Sequence, residues 1–252
     1  MRKKKVILII GGHDPTGGAG ITADIETANH FNCHPLSILT CTTIQDTSGV
    51  IKINNMPKDY IYKCFDKLIK EFKVNVIKIG LIPSLTASKD ILKILNNKEI
   101  KDVPIIIDPI IKSGSGTKLI TKNNLNYVIK NIYPKSTLLT PNIYEYNLIE
   151  KLFNRDNNIN NILVTNYSVK NNEIILSLKI KNYPKEKIFS IKKFEKKYHG
   201  TGCTFSTAIA CNISKNISIE KSIKISLSYM KKSIIDSSID GKKQSFLSRN
   251  IL

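Results

Sequence analysis

The sequence contains no tryptophan, few arginines and no long apolar run. Its longest apolar stretches, such as Val6 to Ile10 and Ile105 to Ile107, fall far short of the roughly 20 residues that a membrane-spanning helix needs. The basic amino terminus and the apolar stretch after it resemble a signal peptide, but Gly11 ends that stretch and no cleavage pattern follows. These absences predict a cytoplasmic protein that has no membrane partner.

Cysteine pairing is the next feature that the sequence lacks. The cysteines are odd in number and show neither a CxxC motif nor a Cys/His metal spacing: Cys33, Cys41, Cys64, Cys203 and Cys211. This pattern argues against a disulfide framework and against a zinc site, and it fits a reducing compartment.

The net charge of +19 invites a nucleic-acid-binding interpretation. Arginine, the residue that best reads bases and grips phosphate, occurs only at positions 2, 155 and 249, whereas lysines are spread over nearly every predicted helix. Lysine, isoleucine and asparagine are all abundant and share A/T-rich codons, so we attribute the charge to compositional bias. We therefore expect no nucleic-acid partner, although the charge should attract phosphorylated substrates.

Apolar strands alternate with amphipathic helices along the 252 residues, without repeat, linker or domain boundary. This alternation predicts one α/β domain spanning 1–252, with a mostly parallel sheet between two helical layers. The predicted strands are Val6–Gly12, Ser37–Thr43, Val76–Gly80, Pro104–Asp108, Thr137–Thr140 and Ile162–Thr165, with one or two antiparallel edge strands in Glu173–Lys193. The predicted helices are Ala19–Phe31, Lys58–Phe72, Ser84–Leu95, Asn123–Ile132, one from Asn142, Gly202–Ser214 and Ile219–Ser237, with loops at 45–49 and 112–117.

The segment Tyr198–Thr204 carries the strongest local signal. Gly200 and Gly202 let the backbone approach a ligand and turn its N–H groups toward it, and the following helix start adds unpaired donors. Such a site suits the charge that develops on a transferred phosphoryl group. Cys203 would stand at the positive helix end, where a thiol loses its proton more readily, and is a candidate general base. Taken alone, it could equally be a small buried cysteine.

A glycine-rich turn, Gly11–Gly20, follows the first predicted strand. It matches neither the dinucleotide fingerprint nor the phosphate-loop motif. Asp24 lies one helical turn beyond it, where a carboxylate could accept hydrogen bonds from a ligand amine or hydroxyl, or could simply be a solvated surface residue. The histidines His13, His30, His34 and His199 pair with no recognisable acid or metal ligand, so we expect packing or turn roles for them.

Polar residues also follow other predicted strands: Gln45, Asp108, and Asn142 with Glu145. Open α/β sheets bind ligands beyond the carboxyl ends of their strands. Asp108 and Glu145 could there hold Mg²⁺ through water beside the phosphates of a nucleotide. Each residue, considered separately, could be no more than a helix cap or a turn residue.

Together these segments resemble the hydroxymethylpyrimidine/phosphomethylpyrimidine kinases of thiamin biosynthesis, within the ribokinase superfamily. The similarity runs from about residue 5 to residue 214. The matching motifs are Gly12–Gly20 with Ala23-Asp24, Thr43–Thr47, Lys78–Leu81, Asp108-Pro109, Ser113–Gly116, Thr140–Asn142 with Glu145, and His199–Cys203. Cys203 is specific to this group, because most ribokinase relatives carry aspartate there.

The resemblance implies a ribokinase-like fold, usually a homodimer, that uses ATP and Mg²⁺ to phosphorylate 4-amino-5-hydroxymethyl-2-methylpyrimidine and then its monophosphate. It places the pyrimidine at Gly12, Ala19, Asp24, Thr43, Gln45 and Leu81. It makes Cys203 the base and Gly200, Thr201 and Gly202 the anion hole. It places the phosphates of ATP at Asp108, Asn142, Glu145 and Thr165, with Mg²⁺ held by Asp108 and Glu145.

One position departs from the family pattern. Val164–Ser168 lacks the lysine that family members place against phosphate, because Thr165 stands there. Lys112, Lys170 or another residue would have to replace that charge, and the second phosphorylation depends on this compensation. The missing lysine leaves open a pyrimidine-binding protein with reduced kinase activity. A pyridoxal kinase also stays open, because its substrate is likewise an aromatic nitrogen ring bearing a hydroxymethyl group.

Overall fold

The computed structural model describes residues 3–114, 116–152 and 159–251. Ser115, Arg2 and Arg155 therefore lie outside the described residues. Within these ranges, helices that combine the length and the apolar character needed to cross a bilayer do not occur.

Nine strands of the described chain form one twisted sheet, in the order β3-β2-β1-β4-β5-β6-β7-β8-β9. The strands from β2 through β7 in this order run parallel, whereas β3 at one edge and β8 and β9 at the other are antiparallel. Their bounds are β1 Lys5–His13, β2 Cys33–Asp46, β3 Gly49–Asn55, β4 Val76–Ile79, β5 Ile105–Ile107, β6 Leu138–Leu139, β7 Asn161–Lys170, β8 Glu173–Ile180 and β9 Lys187–Lys192.

Helices cover both faces of this sheet. One layer packs α2, α3, α4 and α5 against the sheet, and the other packs α1, α6 and α7. Their bounds are α1 Gly20–His30, α2 Tyr60–Glu71, α3 Leu85–Leu95, α4 Lys122–Asn131, α5 Ile143–Leu152, α6 Thr201–Ser214 and α7 Ile219–Ile235. The predicted mostly parallel sheet between two helical layers is confirmed.

The central strands are apolar on both sides because both faces are covered. In β1, Leu8 and Ile10 face the first layer, and Ile7 and Ile9 face the second, all fully buried. Successive side chains of a strand point to opposite faces, so a continuous apolar run supplies two separate cores.

The predicted loop at 45–49 is wrong apart from its two-residue turn. β2 continues through Gln45, and β3 returns beside it as the second arm of a hairpin. The apolar pattern of the sequence does not predict β3, because β3 is an edge strand with few buried side chains. The predicted edge strands in 173–193 are present as β8 and β9, and β7 extends beyond Thr165 to pair with β8.

A second, three-stranded sheet joins the carboxyl-terminal segment to the start of α6. It contains β10 (Tyr198–His199), β11 (Ile239–Asp240) and β12 (Ser245–Phe246), in the order β10-β12-β11. Strands of two residues carry no periodic signal, so the sequence did not predict them. This sheet brings the chain end beside the glycine-rich segments at the carboxyl edge of the large sheet.

Candidate active site

A cavity of about 620 Å³ opens at the carboxyl ends of the parallel strands. Every site residue predicted from the sequence lines this cavity, so the predicted residues come together in space. They are Gly12, Ala19, Asp24, Thr43, Gln45, Leu81, Asp108, Asn142, Glu145, Thr165, Gly200, Thr201, Gly202 and Cys203. Their individual roles stay predictions.

The first turn of α6 forms one wall of the cavity. Gly200 precedes the helix with φ of 72°, a left-handed conformation that favours glycine. A Cβ at Gly202 would lie 3.4 Å from Asp108 Oδ2, so the missing side chain lets this carboxylate approach the helix start. The backbone N–H groups of the turn and an acid are thus on the same wall, which is the arrangement that a phosphoryl group bridged to a cation would need.

Cys203 is 5% exposed in the first turn of α6. Burial raises the pKa of its thiol to about 12, reinforced by Asp24 and Asp108, while Lys78 acts in the opposite direction. The expectation that the helix start makes this thiol acidic is therefore wrong, because burial raises its pKa instead.

A buried ion pair lies beneath this wall. Lys78 Nζ donates to Asp24 Oδ2 at 2.7 Å, and Thr207 Oγ1 donates to Asp24 Oδ1 at 2.7 Å. Burial opposes the charged form of Lys78, but the carboxylate of Asp24 and its neighbours outweigh it and raise the pKa of the ammonium group. Asp24 is fully buried rather than a solvated surface residue, and both its oxygens already accept hydrogen bonds.

Asp108, beside the start of α6, and Glu145 are two buried acids of the cavity. Burial raises the pKa of Asp108 to about 6, which Lys78 opposes. Burial and the charge of Asp108 raise the pKa of Glu145 to about 8. The charge of Asp108 disfavours the charged form of Glu145, and a cation would relieve this, so these two buried carboxylates fit Mg²⁺. Among the described residues, no group of three or more His, Cys, Asp or Glu side chains is arranged to hold a metal ion.

Glu145 is a helix-capping residue as well as a cavity residue. Its side chain accepts from the N–H of Asn142 at 3.0 Å and of Ile111 at 3.2 Å, while Asn142 Oδ1 accepts from the N–H of Glu145 at 2.9 Å. This reciprocal capping box fixes both side chains beyond the carboxyl end of β6. The capping interpretation is therefore confirmed, and the role of Glu145 at the phosphates stays a prediction.

The glycine-rich turn is tied together by Asp14. Its carboxylate accepts from the N–H groups of Thr16 at 2.9 Å and Ala19 at 3.0 Å, and His199 Nε2 lies 2.8 Å from Asp14 Oδ2. Burial alone would raise the pKa of Asp14, but the close contact with His199 and hydrogen bonds from Gln45 and Thr16 hold it below its usual value. His199 therefore pairs with an acid, which corrects the packing role expected for it.

His30 and His34 do have packing contacts. The His30 ring lies 4.5 Å from the ring of Tyr229, and His34 stacks on Phe72 at 5.9 Å.

The sequence interpretation missed several cavity residues. Lys78 was noted only as part of a motif, and Asp14 only within the turn. An apolar end, lined by Phe194, Leu227 and Met230, was not predicted at all. The signal available for Lys78 was a lysine inside an otherwise apolar strand, which requires a buried partner.

Thr165 lies beside the Asn142 segment, its N–H donating to Pro141 O at 2.7 Å. Of the two lysines considered as replacements for the missing charge, Lys112 lines the cavity, with its ammonium group 4.2 Å from the centre of the Tyr144 ring. Lys170 is exposed at the far end of β7 and lies outside the cavity. Its place in the cavity therefore favours Lys112 over Lys170 as the replacement for the missing positive charge.

These features define a ribokinase-like protein: a mostly parallel sheet between helical layers, with glycine-rich turns and acids around one cavity at the strand ends. Comparison with known proteins makes this specific. The model of the phosphomethylpyrimidine kinase family matches residues 14–247, and the chain belongs to that family. Its curated relatives include a bifunctional thiamine biosynthesis protein of Methanocaldococcus jannaschii, 32% identical over 96% of this chain and 55% of that protein.

Another relative is a hydroxymethylpyrimidine/phosphomethylpyrimidine kinase of Aquifex aeolicus, 26% identical over 94% of this chain and 97% of that protein. The chain thus spans about half the length of the first relative and nearly all of the second. A crystal structure of phosphomethylpyrimidine kinase from Clostridium difficile matches with a TM-score of 0.75 and 25% identity, over 92% of this chain and 100% of that one. The pyridoxal kinase of Staphylococcus aureus, solved with ADP, has the same fold at a TM-score of 0.84 and 18% identity, over 98% and 94%.

Proposed function

We propose that this protein transfers the γ-phosphoryl group of ATP to the hydroxymethyl group of 4-amino-5-hydroxymethyl-2-methylpyrimidine, and then phosphorylates the monophosphate, in thiamin diphosphate biosynthesis. The observation that carries this proposal is the position of the Gly200–Cys203 turn. Gly200 lies against Gly18 and Ala19 of the glycine-rich turn, and Gly202 lies beside the carboxylate of Asp108, all around one cavity. An acceptor and a nucleotide could therefore meet at the helix start.

In this mechanism the substrate hydroxyl oxygen attacks the γ-phosphorus, the bond from that phosphorus to the bridging oxygen breaks, and ADP leaves. The N–H groups of residues 200–202 stabilise the charge on the phosphoryl oxygens. The hydroxyl proton passes to the sulfur of Cys203, once that thiol has ionised. Because burial raises its pKa to about 12, ionisation requires added positive charge when the site fills.

Asp108 and Glu145 would hold Mg²⁺, which neutralises phosphate charge when it is bound. Their raised pKa values of about 6 and about 8 mean that cation binding would be accompanied by proton release near neutral pH. Lys112 would add a positive charge at the same end of the cavity and so replace the lysine missing at Thr165.

The apolar end of the cavity suits the adenine ring of ATP. Phe194, Phe205, and Leu227 and Met230 of α7 line the cavity and belong to one apolar cluster. A flat aromatic base is held well by such surfaces. We further infer a cytoplasmic homodimer, on the strength of family resemblance.

A coupled ADP-release assay with MgATP tests the proposal, using the hydroxymethylpyrimidine, its monophosphate and pyridoxal as separate acceptors. Turnover with the first two is expected. Turnover with the free pyrimidine alone would confine the protein to the first step, which would mean that Lys112 does not compensate for Thr165. Turnover with pyridoxal alone would show a pyridoxal kinase instead. Folded protein that is silent with all three acceptors, yet binds the pyrimidine, would be the binding protein.

Cys203→Ala tests the base. We expect turnover to fall about 10²–10⁴-fold, the range of a lost general base, while the pyrimidine still binds. Cys64→Ala is the matched control, because Cys64 lies on α2 away from the cavity. Unchanged turnover in Cys203→Ala would remove Cys203 from the mechanism.

A further inference from the structure

Arg249 is a buried arginine beyond the end of the family match at residue 247. Its side chain is 3% exposed although it lies in the carboxyl-terminal segment. A guanidinium group cannot lose its proton in a protein, so its burial requires a full set of acceptors. Those acceptors identify what the arginine does.

Two active-site segments accept hydrogen bonds from the guanidinium group. Nη1 donates to Gly17 O at 3.2 Å, and Nη2 donates to Gly18 O. Nε donates to Thr204 Oγ1 at 2.9 Å, in the first turn of α6. A fourth bond, from Nη1 to Glu26 at 3.0 Å, is on the solvent side, where Glu26 is 49% exposed. Arg249 thus joins the glycine-rich turn to the helix that carries Cys203.

The two segments that Arg249 joins are in direct contact with each other. A Cβ placed on Gly200 would lie 1.9 Å from Gly18 O, so this carbonyl rests directly on the backbone of the anion-hole turn. One on Gly18 would lie 2.2 Å from the His199 ring. A shift of Gly18 toward Gly200 or toward His199 would therefore displace the backbone at the start of α6.

The segment that carries Arg249 is itself anchored. Tyr229 Oη donates to the carbonyl of Arg249 at 2.9 Å, and the N–H of Ser248 donates to Ser233 O at 3.1 Å. Leu247 and Ile251 on either side are buried. The guanidinium group is therefore held in position from α7, independently of the two segments that it joins.

We propose that Arg249 is a positioning residue for the phosphoryl-transfer site, which fixes the distance between the glycine-rich turn and the start of α6. This inference rests on the proposed function for its kinetic readout only. Arginine suits the task because its planar fork reaches several acceptors in fixed directions, whereas a lysine ammonium group does not.

The kinetic test compares four variants in the hydroxymethylpyrimidine assay. Arg249→Ala should lower kcat/KM about 10²-fold, the effect of a displacement of about 1 Å in a reacting geometry. Arg249→Lys should recover only part of this loss. Glu26→Gln, which alters the solvent-side partner of the same guanidinium group, and Ile251→Ala, which weakens the packing of the same segment, should keep kcat/KM close to wild type. Added guanidinium ion should restore activity to Arg249→Ala but not raise that of wild type.

Hydrogen exchange provides a readout that needs no substrate. The amides of residues 16–20 should exchange faster in Arg249→Ala than in Ile251→Ala, even when the second variant has the lower melting temperature. The positioning role is overturned if folded Arg249→Ala keeps wild-type exchange, or if Ile251→Ala loses as much activity as Arg249→Ala. If wild-type protein shows no turnover, the proposed function fails, and the exchange comparison still decides the role of Arg249.

Discussion

The Lys78–Asp24 ion pair shows how single residues are constrained beneath the site. Both side chains are 1% exposed, so removing one partner leaves a buried charge without compensation. If the pyrimidine also binds Asp24, this carboxylate would accept hydrogen bonds from three groups: the Lys78 ammonium group, the Thr207 hydroxyl and the ligand. Its role as a pyrimidine ligand stays a prediction, whereas its role as the partner of Lys78 is visible in the structure.

We expect Lys78→Met to lower the free energy of unfolding by about 3–5 kcal/mol, as is typical of a broken buried pair. The double variant Lys78→Met with Asp24→Asn should recover most of this loss, because it removes the uncompensated charge. Lys93→Met breaks an exposed pair with Asp59 and should cost much less, because solvent screens both charges. Denaturant unfolding measures all three, and equal losses for Lys78→Met and Lys93→Met would contradict the argument.

The double variant Lys78→Met with Asp24→Asn also tests whether Asp24 is a ligand of the pyrimidine. If Asp24 binds the pyrimidine, the folded double variant should bind it more weakly than wild type in calorimetric titrations. Equal affinity would leave Asp24 with a structural role only.

The raised pKa of Cys203 can be tested by alkylation, since only the thiolate reacts. Iodoacetamide should label half-buried Cys64 first at neutral pH, and Cys203 slowly. The rate at Cys203 should still be rising above pH 9.0, because burial raises the pKa of its thiol above that ordinary value. Peptide mass analysis gives the site-specific rates. Labelling of Cys203 as fast as Cys64 at neutral pH would show that helix-end stabilisation outweighs burial.

At the scale of elements, the site is built from the junctions between strands and helices. α1, α5 and α6 each begin at the carboxyl edge of the sheet, after β1, β6 and β10, and each brings its first turn to the cavity. The turn before α6 is the tightest of these junctions because Gly200 both adopts a left-handed conformation and contacts Gly18 O. Conformation and space therefore both require glycine there.

Gly200→Ala should reduce kcat/KM about 10²-fold or more, because its methyl group displaces the glycine-rich turn by about 1 Å or more. Gly116→Ala is the matched control: Gly116 also has positive φ, of 95°, but a methyl group there meets nothing within 4 Å. It should cost only backbone strain of about 1–2 kcal/mol and leave turnover near wild type. Steady-state kinetics and thermal melts separate the two effects, and similar kinetics for both variants would refute a steric role for Gly200.

At the scale of the whole molecule, the charge of +19 has a consequence for substrate capture. Phosphorylated ligands are attracted over distances comparable to the screening length, so added salt slows their encounter with a basic protein. We expect kcat/KM for the monophosphate to fall with ionic strength more steeply than kcat/KM for the uncharged pyrimidine. ADP release at several salt concentrations measures this, with ATP held saturating so that its own attraction does not contribute. Parallel slopes for the two acceptors would mean that the charge plays no part in capture.

The amino-acid sequence alone determined the layered architecture and the place of the site. Apolar runs such as Val6–Ile10, alternating with amphipathic helices, predict a covered parallel sheet, and parallel strands bring the residues at their carboxyl ends to one edge. For this reason Asp108, Asn142 and Gln45 could be placed around one cavity from sequence.

Only the tertiary structure decided which side chains meet. Lys78 and Asp24 are 54 residues apart, and Arg249 and Gly17 are 232 apart, so no local pattern relates them. The pKa of Cys203 likewise depends on burial by the surrounding fold and not on its position at a helix start. Local propensity sets the conformation of a segment, whereas the environment of a charged or titratable group is set by whatever the rest of the chain packs against it.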